Sequence, residues 1–176
     1  MRGLPQRKSK KCCKPRGINL LKYSLINSNW KLVLTDSVLD HFAKNRQLSN
    51  RETEAGGQLF ASFKVDELWV EIATGPRLSD KRTRFSYTPD KKLEQIEIDK
   101  NFKDALHYIG DWHTHPIPVP APSDKDLANI RSCFKKSIHQ LKGFIMLIVG
   151  TANYPDGIHL SLHNEHSYEE FVLVKD

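Results

Sequence analysis

Apolar positions change their spacing along the chain, and the changes mark its elements. Behind Thr35 or Asp36 as a cap, Val38, Leu39, Phe42 and Ala43 fall at helical spacing, which predicts a helix from Asp36 to Gln47. Residues 57–63 and 68–73 read as two strands joined by the polar turn Lys64-Val65-Asp66-Glu67. Pro89 opens a second helical stretch, starting near Asp90 and carrying Leu93, Ile96 and Ile98. Residues 105–113 are rich in strand formers and run into Pro116, Pro118, Pro120 and Pro122, which hold the chain extended and exclude helix. At Ser123 the spacing returns to three and four, with Leu127, Ile130, Cys133 and Phe134 on one helix face and Cys133 expected as a buried thiol. The run F-I-M-L-I-V within residues 143–150 predicts a central strand buried on both faces. Asp156-Gly157 predicts a turn into a strand ending at Leu162, and residues 168–174 a last element. Upstream, Leu20, Leu21, Tyr23, Leu25, Ile26, Trp30 and Leu32 predict a leading strand docked onto the domain.

A length of 176 residues with 39% hydrophobic content suits one sizeable core and is short for two. We expect one domain over residues 18–176 and a flexible basic arm over residues 1–17. No apolar run approaches the roughly 20 residues that cross a bilayer, and no apolar stretch follows the basic N-terminus as a signal peptide would require. Three cysteines, with Cys12 and Cys13 adjacent, make no disulfide framework, so a cytoplasmic protein is expected. Charge is divided unevenly. Residues 1–35 hold nine basic groups and no acid, whereas the rest carries 18 basic and 21 acidic residues. The net charge of +6 therefore belongs to the arm. The arm leaves nucleic acid open as a partner but lacks the interleaved aromatics that favour single strands.

The candidate chemistry lies in G-D-W-H-T-H-P-I-P-V-P-A-P-S-D-K-D, residues 110–126. Positions i and i+2 of a strand share a face, so His113 and His115 can converge on one ion. A helix starting after Ser123 would hold Asp126 in its first turn and aim it back at the strand end. Two imidazoles and one carboxylate are the ligand set of an open catalytic zinc site. Glu54, in E-A-G-G-Q-L-F, adds a carboxylate from a separate segment that could serve as general base. Each piece has an ordinary reading: Ser-x-x-Asp is a capping box, and Glu before two glycines is a turn. The joint pattern separates them. None of the other histidines is so arranged, and His163 and His166, around a polar turn, are expected to be solvated.

His-x-His-Pro, seven residues, then Ser-x-x-Asp, with Glu-x-Gly-Gly-x-Leu-Phe upstream, resembles the JAMM (MPN+, JAB/Mov34-type) metallopeptidases over residues 34–173. The resemblance implies an α/β (α+β) fold: a single MPN/JAMM, cytidine-deaminase-like domain with a mixed, partly curled sheet flanked by helices. It implies one Zn²⁺ per chain on His113, His115 and Asp126, with Glu54 as base and Ser123 as oxyanion donor. Because all five residues are present, a catalytically dead scaffold is disfavoured. The stretches around Glu54 and His113 resemble stand-alone bacterial JAMM proteins of anti-phage CBASS operons. Those free a cGAS-like nucleotidyltransferase from its conjugates. The expected activity is thus an isopeptidase acting on a ubiquitin-like tag or a tag-conjugated protein, with no membrane partner. Residues 75–90 are the candidate substrate-facing loop through Arg77, Arg82 and Arg84. Two alternatives share the chain: processing of a sulfur-carrier or ubiquitin-like precursor C-terminus, and a non-catalytic module whose arm binds DNA.

Overall fold

The computed structural model describes residues 20–175, so the basic arm, with Cys12 and Cys13, lies outside them. Its strands are β1 (Leu21–Leu25), β2 (Lys31–Leu34), β3 (Gly56–Lys64), β4 (Glu67–Ala73), β5 (Lys81–Thr83), β6 (Ser86–Thr88), β7 (His107–Thr114), β8 (Phe144–Val149), β9 (Ile158–His163) and β10 (Tyr168–Leu173). Its helices are α1 (Asp36–Asn45), α2 (Lys91–Lys103) and α3 (Asp124–Lys136). Eight strands close in the order β1-β10-β9-β8-β7-β3-β4-β2, while β5 and β6 form a separate two-stranded sheet.

The α/β class stands, but the partly curled sheet is corrected to a closed barrel. Closure comes from the segment expected as a single leading strand. It folds into two, turning at Asn27 with φ +63°. β1 pairs antiparallel with both β10 and β2, and β2 pairs parallel with β4, so neither edge is left open.

β8 shows why the fold has two apolar layers. Every one of its residues is buried. Ile145, Leu147 and Val149 join the barrel interior with Leu59, Trp112 and Leu160. The alternate residues Phe144, Met146 and Ile148 face outward and meet Ile130 of α3. α1 contributes Val38, Leu39 and Phe42 to the interior cluster, with the Phe42 ring 5.0 Å from Trp112. α2 behaves differently. It starts beside Asp90 as expected, with Asp90 as its cap, yet Leu93 and Ile96 are exposed and Glu94 and Asn101 are buried. Its contacts with the body include ion pairs from Arg77 to Glu94 and Glu97 and the Phe102 ring 5.6 Å from His107 of β7. Cys133 is half-buried rather than enclosed.

His163 also departs from expectation. His166 is exposed, but His163 is fully buried and stacks on Tyr168 at 5.3 Å and 12°. Its Nε2 lies 2.8 Å from Ser161 Oγ, which is itself 3.0 Å from His159 Nε2. These three alternate residues line the outer face of β9. Burial, with smaller contributions from His159 and Arg131, lowers the His163 pKa to about 4.

Between about pH 6.5 and pH 4 the unfolded chain takes up a proton that folded His163 refuses. Its contribution is therefore complete above pH 6.5 and shrinks as pH falls towards 4, by of the order of 2 kcal/mol. Denaturant unfolding at pH 7 and pH 4 should show a smaller loss for His163→Gln than for wild type. Equal losses would remove His163 from the acid limb.

Candidate active site

Three strand ends and one helix start meet where β7 finishes. Along β7, Trp112 and Thr114 point inward, while Asp111 and His113 take the outer face. His115 lies one residue beyond the strand but keeps its direction, because its N–H donates to Val149 O at 2.9 Å. The two imidazole Nε2 atoms are 3.2 Å apart. From the α3 N-terminus, Asp126 Oδ1 reaches within 3.5 Å of His113 Nε2, and Oδ2 within 3.4 Å of His115 Nε2. Three atoms on a tetrahedral ion with metal bonds of about 2.0–2.1 Å would stand about 3.3 Å from one another. The donor set and its spacing therefore fit one divalent cation, and neutral imidazole with carboxylate suits zinc.

Asp126 is held by the capping box as well as by the imidazoles. Ser123 N–H and Oγ–H both donate to Asp126 Oδ2, at 2.8 and 2.6 Å, and Asp126 N–H donates to Ser123 Oγ at 3.3 Å. Burial would raise the Asp126 pKa, but the hydrogen bonds to His113, His115 and Ser123 outweigh it and hold the carboxyl well below the usual range. The capping box is formed, and the carboxylate that closes it also stands beside both imidazoles.

Glu54 comes from the segment entering β3. The β3–β7 register pairs Gly56 with His113, so Glu54 and His115 fall at corresponding places beyond the strand ends. Thr114 pins this register. Its N–H donates to Ala55 O, its Oγ1 accepts from Ala55 N–H, both at 2.9 Å, and its hydroxyl donates to buried Gln47 Oε1 at 2.8 Å. The Gln47 amide donates in turn to Arg84 O and Glu52 O. From the other side, Arg82 Nε donates to Glu54 O at 2.6 Å and Thr83 O accepts from Glu54 N–H at 2.7 Å. Glu54 is buried, and burial raises its pKa against the opposing pull of His113 and His115. A carboxyl of raised affinity for protons, beside residues that could hold a metal ion, is suited to proton transfer. Nothing in the sequence pointed to Gln47, which has no motif spacing.

Glu54, His113 and Asp126 open onto a cleft of about 610 Å³ that continues past Tyr87, Thr88, Asp111 and Cys133. Asp111 accepts from Tyr108 OH at 3.0 Å, and burial together with Glu94 pushes its pKa up to about 6. It stands two residues before His113, so the same strand periodicity that found the histidines could have found it. The three arginines of the expected substrate loop separate. Arg77 is almost fully enclosed, bonded to Glu97 and Tyr87 and close to Asp80 and Glu94, so its guanidinium is engaged by these neighbours. Arg82 binds the backbone of residues 53 and 54. Arg84 is half-buried over the Phe85 ring at 5.3 Å.

Residues 35–162 match the model of a family described as prokaryotic homologs of the JAB domain. The chain belongs to that family. Over 101 residues this JAB-domain chain is 32% identical to a CD-NTase/cGAS isopeptidase of Pseudomonas aeruginosa, covering 54% of this chain and 62% of that protein. The match thus spans less than two thirds of that relative. It is 28% identical over 122 residues to a CD-NTase/cGAS isopeptidase of Escherichia coli, covering 68% and 76% of the two chains. A probable metalloprotease of Sinorhizobium fredii is 53% identical over 38 residues, 20% of this chain and 23% of that one. A solution structure of a Desulfitobacterium hafniense protein superposes with a TM-score of 0.55 at 20% identity, covering 78% of this chain and 87% of that one, which shows a shared fold.

Two outcomes follow for the JAB-domain chain. Metal analysis after zinc loading should find about one ion per chain for wild type and loss of that ion for His113→Ala; equal zinc in both would remove the site. Thr114→Val leaves Ala55 N–H and Gln47 without their buried partner and should cost about 1–3 kcal/mol in denaturant unfolding. Thr114→Ser should recover most of that loss.

Proposed function

We propose that this chain is a zinc-dependent isopeptidase that removes a ubiquitin-like tag from its target, with a cGAS-like nucleotidyltransferase as the conjugated protein. The observation that carries this reading is the approach of His113, His115 and Asp126 to ion-binding spacing in a cleft that also holds buried Glu54. The names of the Pseudomonas and Escherichia relatives support the choice of bond and target.

His113, His115 and Asp126 would hold the ion. A divalent ion there would bring the pKa of bound water from about 15.7 towards roughly 7 and polarise the amide carbonyl. Glu54 takes the proton from the attacking water and returns it to the departing lysine amine, so the amide C–N bond breaks with no net proton change at Glu54. Ser123 donates to the oxyanion. Its single proton points at Asp126 Oδ2 in the resting structure, so the hydroxyl must rotate as the substrate arrives. Arg82 and Arg84 form the arginine side of the substrate path, and Arg82 additionally fixes the Glu54 backbone. β6 has β5 as its strand neighbour and no second one among the described residues, and its Tyr87 and Thr88 line the cleft. An extended tag tail would add to that edge through main-chain hydrogen bonds.

The decisive experiment compares wild type, Glu54→Gln and Ser123→Ala on ubiquitin-like fusions joined by a lysine isopeptide or a linear peptide bond. Zinc content is measured on each. Glu54→Gln should keep its zinc and lose turnover, and Ser123→Ala should lose about 10²–10³ in rate. Near-native cleavage by Glu54→Gln would reject the assigned base. Preference for the linear fusion would move the reading to precursor processing.

A further inference from the structure

Two short segments beside Glu54 concentrate positive charge on a body that is otherwise slightly acidic. Lys44, Arg46 and Arg51 surround the end of α1 and the following loop, and Lys81, Arg82 and Arg84 lie on or beside β5. Residues 36–176 contain 18 cations, so a third of them stand here. None of the ion pairs among the described residues includes any of the six. Tertiary contacts rather than chain proximity bring the segments together, because Gln47 of the first bonds Arg84 O of the second.

Between them is a concavity of about 300 Å³ lined by Lys44, Asn45, Arg46, Arg51, Glu52, Thr53 and Arg82. Four cations thus face one carboxylate, and that carboxylate accepts from Ser49 N–H. Arg46 donates through its terminal nitrogen to Thr151 O, while its buried Nε has no hydrogen-bond partner among the described residues. A buried donor without an acceptor carries a desolvation cost that an incoming anion would relieve. Thr53 lies immediately before Glu54, so an occupant would sit alongside the segment that carries the proposed base.

We propose that this concavity is a substrate subsite for an acidic peptide segment, with Asp or Glu side chains near the bond to be cut. It deepens the isopeptidase reading and rests on it for the identity of the occupant. A peptide fits better than a nucleic acid. The lining holds no aromatic ring on which a base could stack, and the cations enclose a concavity rather than follow a backbone-length stripe. Lys44 and Arg51 are exposed and supply attraction at the rim, whereas Arg82 also supports Glu54.

The test uses full-length protein, wild type and Lys44→Glu/Arg51→Glu, with unfolding midpoints and zinc content checked to match. Fluorescence anisotropy at low salt measures binding of an Asp/Glu-rich octapeptide, its Asn/Gln counterpart and an oligodeoxynucleotide of equal charge. The acidic peptide should bind wild type and weaken at least roughly tenfold in the double variant. The Asn/Gln peptide should bind neither protein. Equal binding of the acidic peptide by both proteins would overturn the site and place the contact elsewhere, as on the basic N-terminal segment. A tighter oligodeoxynucleotide that loses the same factor would overturn the peptide assignment. Isopeptide fusions with acidic or amide residues beside the scissile bond are cleaved in parallel. The acidic fusion should be favoured roughly tenfold in kcat/KM by wild type and not by the variant. If wild type cleaves neither fusion, the isopeptidase reading falls while anisotropy still decides the subsite.

Discussion

The antiparallel register of β3 against β7 is the constraint on which the site depends. Gly56 opposite His113 is what brings the Glu54 segment to the histidines, and a shift of one residue would turn His113 into the barrel. Two devices hold the register. Thr114, fully buried between the two histidines, exchanges hydrogen bonds with Ala55 and Gln47. Gly57 supplies the close approach: a Cβ there would lie 1.9 Å from Thr74 O, so no larger residue fits between β3 and the chain leaving β4.

The barrel gives this register its stiffness. β8 is buried on both faces, pairs parallel with β7, and so anchors the histidine strand from the side opposite β3. α3 rests on the outer face of β8 through Ile130, which fixes the distance between the α3 N-terminus and the end of β7. Asp126 therefore reaches the histidines because α3 and β7 both pack against β8. The 75–90 segment is stiff for a different reason. Arg77, Asp80, Tyr87, Glu94 and Glu97 form a largely buried ionic and hydrogen-bonded group that ties α2 and the β5–β6 sheet to the body. Breaking one partner of such a group leaves a buried charge, which makes the segment a firm wall of the cleft.

Much of this was legible in the chain. His113 and His115 were readable because a period of two is a local property of extended backbone, and Ser123 with Asp126 because a helix cap is written within four residues. The β8 run and the start of α2 near Asp90 were equally local. Other features were not. The leading segment contains the residues of two strands, and only pairing with β10 and β4 shows that it turns at Asn27 and closes the sheet. The apolar residues of α2 marked a helix, but Leu93 and Ile96 are exposed, whereas Glu94 faces inward to Arg77 and Asn101 is buried and donates to Glu97 O. His163 lies in a polar stretch, yet Tyr168 covers it across the turn.

Most element types, and the types and local spacing of the residues that could hold a metal, are written in the chain, because periodicity, capping and proline stiffness act over a few residues. Folding alone fixes how Glu54 is placed and buried beside the histidines, the barrel closure, the burial of His163 and Arg77, and the gathering of Lys44, Arg46 and Arg51 beside Arg82. Those depend on strand register and on desolvation, which arise only when residues distant along the chain exclude water from one another.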